Sequence, residues 1–344
     1  QGELGTSHAY ELGGDYRPEP KWNQGSLGAD LEATGSGWRV KRIPYGDGWI
    51  PNAVSPLAAP GVGIRAGDRI VAVDGEVVGK GRSIHELLVE KGGRETTLTV
   101  RRGRQKARRV VVKALASETL LRYRDWVEGN RLRVKELSGG RAGYIHIPDM
   151  QAWGFAEFHR YWRCELDCDG LVIDVRFNRG GSVSQLLLER LTRRRLGYQI
   201  TRWRAPVAFP HDSPMGPMVC LTNEMSGSDG DIFSHTFKLH RLGPLIGTRT
   251  WGGVIGIWPQ QALVDGTITT QPEYATWFTD VGYRVENYGT DPDIEVVITP
   301  DDYRAGRDPQ LERGVEELMK IIAAAEPLVP DFGERPSLAP PRLD

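Results

Sequence analysis

Three short polar turns, each following an apolar run, hold the residues whose types and spacing could do chemistry. The stretch Asn223-Glu224-Met225-Ser226-Gly227-Ser228-Asp229-Gly230-Asp231 follows the run Met218 to Leu221 and opens a helical pattern over Asp229–Leu239. A serine at that point has two available jobs. As an N-cap, Ser228 would satisfy the first helical N–H groups, with Asp231 as a favourable acid in the first turn, and local physics alone favours this reading. Turned outward, the same hydroxyl would be polarised by the helix N-terminus, and the next N–H would be placed to meet an oxyanion. The second turn, Asp174-Val175-Arg176-Phe177-Asn178-Arg179-Gly180-Gly181-Ser182, carries tandem glycines. Gly180 and Gly181 can aim a backbone N–H at an anion, or simply make a plain turn. The third turn, Arg284 to Ile294, carries Glu286, which alone reads as a solvated loop carboxylate.

These turns need a frame. Apolar runs at Gly143 to Pro148, Gly170 to Val175, Met218 to Leu221 and Leu245 to Thr248 alternate with helical patterns at Val183 to Arg195 and Asp229–Leu239. Such alternation predicts an α/β domain over 141–326 with buried strands, closed by an amphipathic helix at Pro309 to Glu326. In such a sheet ligands gather at the carboxyl ends of the strands, where all three turns lie. Ahead of it, residues 27–115 read differently. Alternating strands are expected at Trp38 to Ile43, Asp68 to Gly75 (ending in an Asp-Gly turn), Glu95 to Arg101 and Arg108 to Leu115. A short helix follows Ser83, with Glu86 completing a capping box. Residues 1–26 read as an entering loop, 116–140 as a charged connector with a hairpin around Glu128-Gly129-Asn130, and 327–344 as a disordered proline-rich tail.

Composition narrows the function classes. With 344 residues, 39% apolar and 26% charged, the chain is sized for two globular domains. A net charge of −1 argues against nucleic acid, and the basic runs Arg101 to Arg109 and Arg193 to Arg195 lack interleaved aromatics. No stretch has the length of a membrane span or the pattern of a signal peptide. Cys164, Cys168 and Cys220 form neither a disulfide framework nor a zinc set, so reduced thiols and a cytoplasmic setting are expected. No metal or cofactor is called for. The chain starts at Gln1 without Met, which suggests a processed protein or a fragment of a longer one.

Two resemblances add to this reading. The string Ser55-Pro56-Leu57, Gly61-Val62 and Ile64-Arg65-Ala66-Gly67-Asp68-Arg69-Ile70-Val71-Ala72-Val73-Asp74-Gly75 resembles a PDZ domain. In PDZ domains a peptide adds to a sheet edge and its terminal carboxylate is held by a loop. The matching loop here is Leu27 to Leu31, where Asp30 would repel that carboxylate. "LVIDVRFNRGGSV", "LTNEMSGSDGDIF", "IGTRTWGG" and "VENYGTDPDIEV" are similar, in order and spacing, to the tail-specific, carboxy-terminal-processing serine peptidases (family S41). Their string N-x-x-S-A-S-A-S-E-I, laid on Asn223 to Ile232, puts the attacking serine at Ser228. The usual lysine base is missing, and Gln261 and its neighbours offer no substitute. Thr6-Ser7-His8 ahead of the PDZ-like segment resembles instead the tricorn protease subfamily, whose base is a histidine.

That resemblance implies a catalytic α/β domain of the ClpP/crotonase-like kind with an inserted PDZ-like β-rich domain. It implies Ser228 as nucleophile, His8 as general base, and Ser7 with Glu286 as orienting partners. The oxyanion hole would be formed by the N–H of Gly181 (or Gly180) and Asp229. It further implies peptide substrates such as oligopeptides released by the proteasome, a homo-hexamer, aminopeptidases acting downstream, β-propellers ahead of Gln1, and neither nucleic acid nor membrane as partner. A rival reading is an inactive scaffold that binds peptides through its PDZ module. His235, on the same helix as Ser228, is the local rival to His8. Leu196 to Ile200, where an acid selecting basic residues is expected, contains none, which favours hydrophobic residues before the cut bond.

Overall fold

The computed structural model describes residues 5–15, 22–79, 81–258, 262–325, 330–333 and 339–340. Gln261, the first four residues and most of the 327–344 tail lie outside them. The chain divides into two compact units, one built from 11–133 and 260–269, the other from 1–10, 134–259 and 270–344.

In the first unit an antiparallel sheet runs in the order Asp30–Thr34, Gly37–Arg42, Arg69–Val73, Glu95–Arg101, Arg108–Lys113, with Glu76–Val77 paired onto Arg69–Val73. Its core gathers Val40, Ile70, Ile84, Leu88, Leu98 and Val100. The strand periodicities read from the sequence are met, and Ser83 and Glu86 form the capping box of the helix Ile84–Leu87. Two features bear on peptide capture. Asp30 is engaged by Arg42 at 2.8 Å and also by Arg122, so its charge is compensated rather than free to repel. The Gly28 N–H, in the loop that would meet a terminal carboxylate, already donates to Glu118 Oε1 at 2.8 Å.

The hairpin expected around Glu128-Gly129-Asn130 is absent: Thr119–Leu137 is one α-helix. Leu121, Arg124, Val127 and Val134 are buried at helical spacing. Burying that stripe outweighs the roughly 1 kcal/mol that a mid-helix glycine costs.

The second unit carries a five-stranded, all-parallel sheet in the order Ile294–Glu295, Leu245–Gly247, Met218–Thr222, Gly170–Asp174, Ala142–His146. Every residue of the runs 142–146, 170–174 and 218–222 is buried, as their unbroken apolar character requires in a sheet covered on both faces. The helices Ala152–Glu165, Ser184–Leu191 and Asp229–Leu239 connect the strands, and Pro309–Ala324 packs on the sheet through Leu311, Val315, Leu318 and Ile322. Helix Ser184–Leu191 is shorter than the sequence pattern suggested. Beyond it Gly197–Gln199 pairs with Val207–Phe209 as a small hairpin that the pattern did not reveal.

Candidate active site

The turn from Asp174 to Ser182 is held from beneath. Asp174, fully buried at the end of its strand, accepts from Arg176 and from the Tyr144 hydroxyl at 2.8 Å, and Arg176 reaches on to Asp308 at 2.9 Å. The Arg176 guanidinium holds the Asp174 carboxyl below its ordinary range despite burial, so the pair stays ionised. Asn178 then ties two turns together. Its Oδ1 accepts the Gly180 N–H at 2.9 Å, its Nδ2 donates to Ile147 O at 2.8 Å, and its carbonyl accepts the Gly227 N–H at 3.0 Å. Gly180 has φ +73° and lies so close to the Ser228 turn that a Cβ there would fall 2.5 Å from Ser228 Cβ. Only glycine permits that approach.

The N-cap reading of Ser228 fails. Its side chain makes no capping hydrogen bond, and its φ of 58° and ψ of −122° are far from the extended backbone of an N-cap. A non-glycine residue held there stores strain of order 1–3 kcal/mol. The turn directs the hydroxyl away from its own helix, to 3.1 Å from His8 Nε2. Ser226 is fully buried instead, and its hydroxyl has no partner among the described residues.

His8 is brought in by the segment Gly5 to Tyr10, which clusters with this unit. The Thr270 hydroxyl donates to the His8 carbonyl at 2.5 Å, and the Tyr10 N–H donates to that hydroxyl at 2.8 Å. The ring is packed edge-on against Trp251 and Tyr10, with centroids 5.4 and 5.7 Å away. Its Nδ1 lies 2.8 Å from Ser7 Oγ, which donates to Glu286 Oε2 at 3.1 Å. Because the Ser7 proton goes to the carboxylate, Ser7 Oγ accepts from Nδ1–H, and the remaining ring nitrogen is free to accept from Ser228. Glu286 is itself fixed by the N–H groups of Ser7 (2.7 Å), Val254 (2.7 Å) and Ile255 (3.0 Å). Burial pulls the His8 pKa below its ordinary value, and the Glu286 charge only partly opposes this. The imidazole is therefore neutral at pH 7, the form that accepts a proton.

Ser228, His8, Ser7 and Glu286 thus lie in one hydrogen-bonded chain. Of the proposed oxyanion donors, Gly181 and Asp229 offer N–H groups with no acceptor among the described residues. Gly180 does not: its N–H is taken by Asn178, and what it supplies is close approach. His235 is no rival base. It faces Asp280 at 3.1 Å and Thr290 at 3.4 Å, away from Ser228.

Several side-chain roles at the site were not foreseen by sequence reasoning. The Asp229 carboxylate holds the start of helix Ser184–Leu191 through the Ser184 N–H (2.9 Å) and hydroxyl (2.5 Å), and burial raises its pKa. Asp231 accepts the Gly252 and Gly253 N–H groups at 2.8 and 3.2 Å. Asn223 Oδ1 accepts from Phe177 and Met225 at 2.9 and 3.2 Å. Acidic and amide residues crowded into a turn were the available signal, but their partners are backbone groups far away in sequence. Among the described residues no group of three or more His, Cys, Asp or Glu side chains is placed to hold a metal ion.

Comparison with known proteins gives the family. Residues 25–117 match the model of the tricorn protease PDZ domain, and residues 141–296 match that of peptidase family S41. The chain belongs to family S41, in its tricorn group. It is 49% identical over 346 residues to tricorn protease homolog 1 of Streptomyces coelicolor, a match covering 99% of this chain and 31% of that protein. To the tricorn protease of Thermoplasma acidophilum it is 43% identical over 322 residues, covering 94% of this chain and 30% of that one. A crystal structure of the tricorn protease superposes with a TM-score of 0.88 at 43% identity, over 92% of this chain and 31% of that chain. This tricorn-group chain therefore spans about a third of the length of the curated relatives it matches.

Proposed function

We propose that this chain is the catalytic part of a serine peptidase that hydrolyses peptides through an acyl-enzyme. Ser228 Oγ attacks the scissile carbonyl carbon while His8 Nε2 takes its proton. The C–O bond forms and the carbonyl oxygen gains the charge that the Gly181 and Asp229 N–H groups receive. When the C–N bond breaks, the imidazolium returns the proton to the leaving amine. A water molecule, deprotonated by the same ring, then attacks the acyl ester and frees Ser228. Ser7 keeps Nδ1 as the protonated nitrogen, and Glu286 stabilises the transient imidazolium through Ser7. A placed base contributes about 10²–10⁴ in rate, and an oxyanion donor about 10²–10³.

The observation that carries this reading is the 3.1 Å contact of His8 Nε2 with Ser228 Oγ, at the end of the chain from Glu286 through Ser7. The test is Ser228→Ala alongside labelling with a fluorophosphonate. Loss of both peptide cleavage and labelling is expected; cleavage that survives the substitution refutes the assignment.

The finer parts rest on the family resemblance: a ClpP/crotonase-like catalytic domain, oligopeptides of the kind the proteasome releases, a homo-hexamer and aminopeptidases acting afterwards; a cytoplasmic setting rests on the unpaired cysteines Cys164, Cys168 and Cys220. No helix of the described residues is long and apolar enough to cross a membrane. The acid-free stretch Leu196 to Ile200 supports a preference for hydrophobic residues before the cut. Fluorogenic peptides with Arg in that place outpacing those with Phe or Leu would overturn the preference.

A further inference from the structure

The loop Thr250 to Ile255 spends six successive N–H groups on the neighbourhood of the site. Thr250 donates to Thr290 O at 3.1 Å and Trp251 to Ser226 O at 3.0 Å. The next four go to just two carboxylates. Gly252 and Gly253 donate to Asp231 at 2.8 and 3.2 Å, and Val254 and Ile255 donate to Glu286 Oε2 at 2.7 and 3.0 Å. The loop has no slack. A Cβ on Gly252 would fall 2.6 Å from the Gly289 nitrogen, and one on Gly253 would fall 2.3 Å from the Trp251 ring. Trp251 in turn stands against the His8 ring and covers Gly227. Asp231 lies in the first turn of the helix that begins at Ser228 and is fully buried.

We infer that Asp231 is a positioning residue for hydrolysis: by fixing the Gly252 and Gly253 N–H groups it sets the loop that aligns Glu286, and through Ser7 the His8 ring. The inference rests on the catalytic reading above. A buried carboxylate is an expensive way to tie down a loop, since burial raises its pKa to about 6. An ionised carboxylate, however, accepts two converging N–H donors at once. Here each oxygen takes one N–H, Oδ1 from Gly252 and Oδ2 from Gly253, an arrangement an amide cannot copy because one of its two ends is itself a donor. A shift of the loop is passed to Glu286, because the successive N–H groups of Gly253 and Val254 serve the two different carboxylates.

The experiment compares wild-type chain, Asp231→Asn, Asp231→Glu and Ser228→Ala for kcat and KM on a fluorogenic peptide. Competent sites are counted by fluorophosphonate labelling carried to completion, and folding is checked by thermal unfolding. A misplacement of the order of 1 Å at a catalytic group costs about 10²-fold, so Asp231→Asn is expected to lose kcat per labelled site by about that factor with KM little changed. The labelling rate should fall in parallel, and Asp231→Glu should recover part of the loss. Wild-type kcat per labelled site in Asp231→Asn, with only the number of competent sites reduced, overturns the inference, as does a Glu variant no better than Asn. If Ser228→Ala retains activity the catalytic reading itself falls. If it is inactive while Asp231→Asn turns over normally, only the positioning role falls.

Discussion

Ser7→Ala probes the relay between His8 and Glu286 most directly. The substitution removes a single hydroxyl, 2.8 Å from His8 Nδ1 and 3.1 Å from Glu286 Oε2. It leaves the carboxylate anchored, because Oε1 still accepts the backbone N–H of residue 7 and Oε2 still accepts from Val254 and Ile255. The loss is therefore one hydrogen bond to a ring that becomes charged in the transition state. Such a bond is worth about 1.5–3 kcal/mol, or roughly 10- to 150-fold in kcat. His8→Ala removes the base itself and is expected to cost more, about 10²–10⁴-fold. Glu286→Gln removes the charge at the far end, so its effect should overlap with that of Ser7→Ala, and the double variant should lose less than the two single losses combined. The measurement is kcat and KM for the four variants on one fluorogenic peptide at pH 7. Wild-type turnover in Ser7→Ala, or strict additivity with Glu286→Gln, would refute the relay.

Three further outcomes follow from the geometry. The acid limb of kcat/KM should have its midpoint below the ordinary histidine value of 6.5, since burial lowers the His8 pKa and only its neutral form accepts a proton. Burial pushes Asp231 up to about 6 against the lowering effect of the Thr250 hydroxyl and the Gly252, Gly253 and Ser228 N–H groups, so it protonates in the same range. Both protonations reduce activity, so the limb should be steeper than one ionisation allows; a limb centred above 6.5 contradicts the burial argument. Gly180→Ala places a methyl group 2.5 Å from Ser228 Cβ at a φ of +73°, and should reduce turnover more than it reduces peptide binding, as read from kcat and KM. Arg176→Met strands the Asp174 carboxylate, which is fully buried, and should destabilise the fold by about 3–5 kcal/mol in denaturant unfolding.

Much of the frame was legible because its strands are buried on both faces and read as unbroken apolar runs. The helix Asp229–Leu239 was legible from its turn and its periodicity. The helix Thr119–Leu137 was not, because Glu-Gly-Asn is locally a turn and only the stripe Leu121, Arg124, Val127 decides otherwise. The site divides in a similar way. Nothing near Ser228 distinguishes a cap from a displayed hydroxyl, since the difference lies in its backbone angles and in a histidine 220 residues away. Resemblance supplied that pairing; local physics did not. The loop-holding roles of Asp231 and Asn178 escaped notice for a related reason. They act on backbone N–H groups, and any residue type can present an N–H, so no pattern of side chains marks the partner.

The distance along the chain between Ser7 or His8 and the groups they meet has a further consequence. Ser7 and Glu286 are 279 residues apart. Contacts of such separation carry the largest loop-closure cost and belong late in folding. Four of the sheet's five strands and the Ser228 turn lie within residues 142 to 247, so a molecule with residues 7 and 8 not yet docked displays its serine with no proton acceptor beside it. Under the proposed mechanism, hydrolytic competence then arrives only with that docking. During refolding, fluorophosphonate reactivity should lag behind the recovery of helical circular dichroism; simultaneous recovery would show that the histidine docks early.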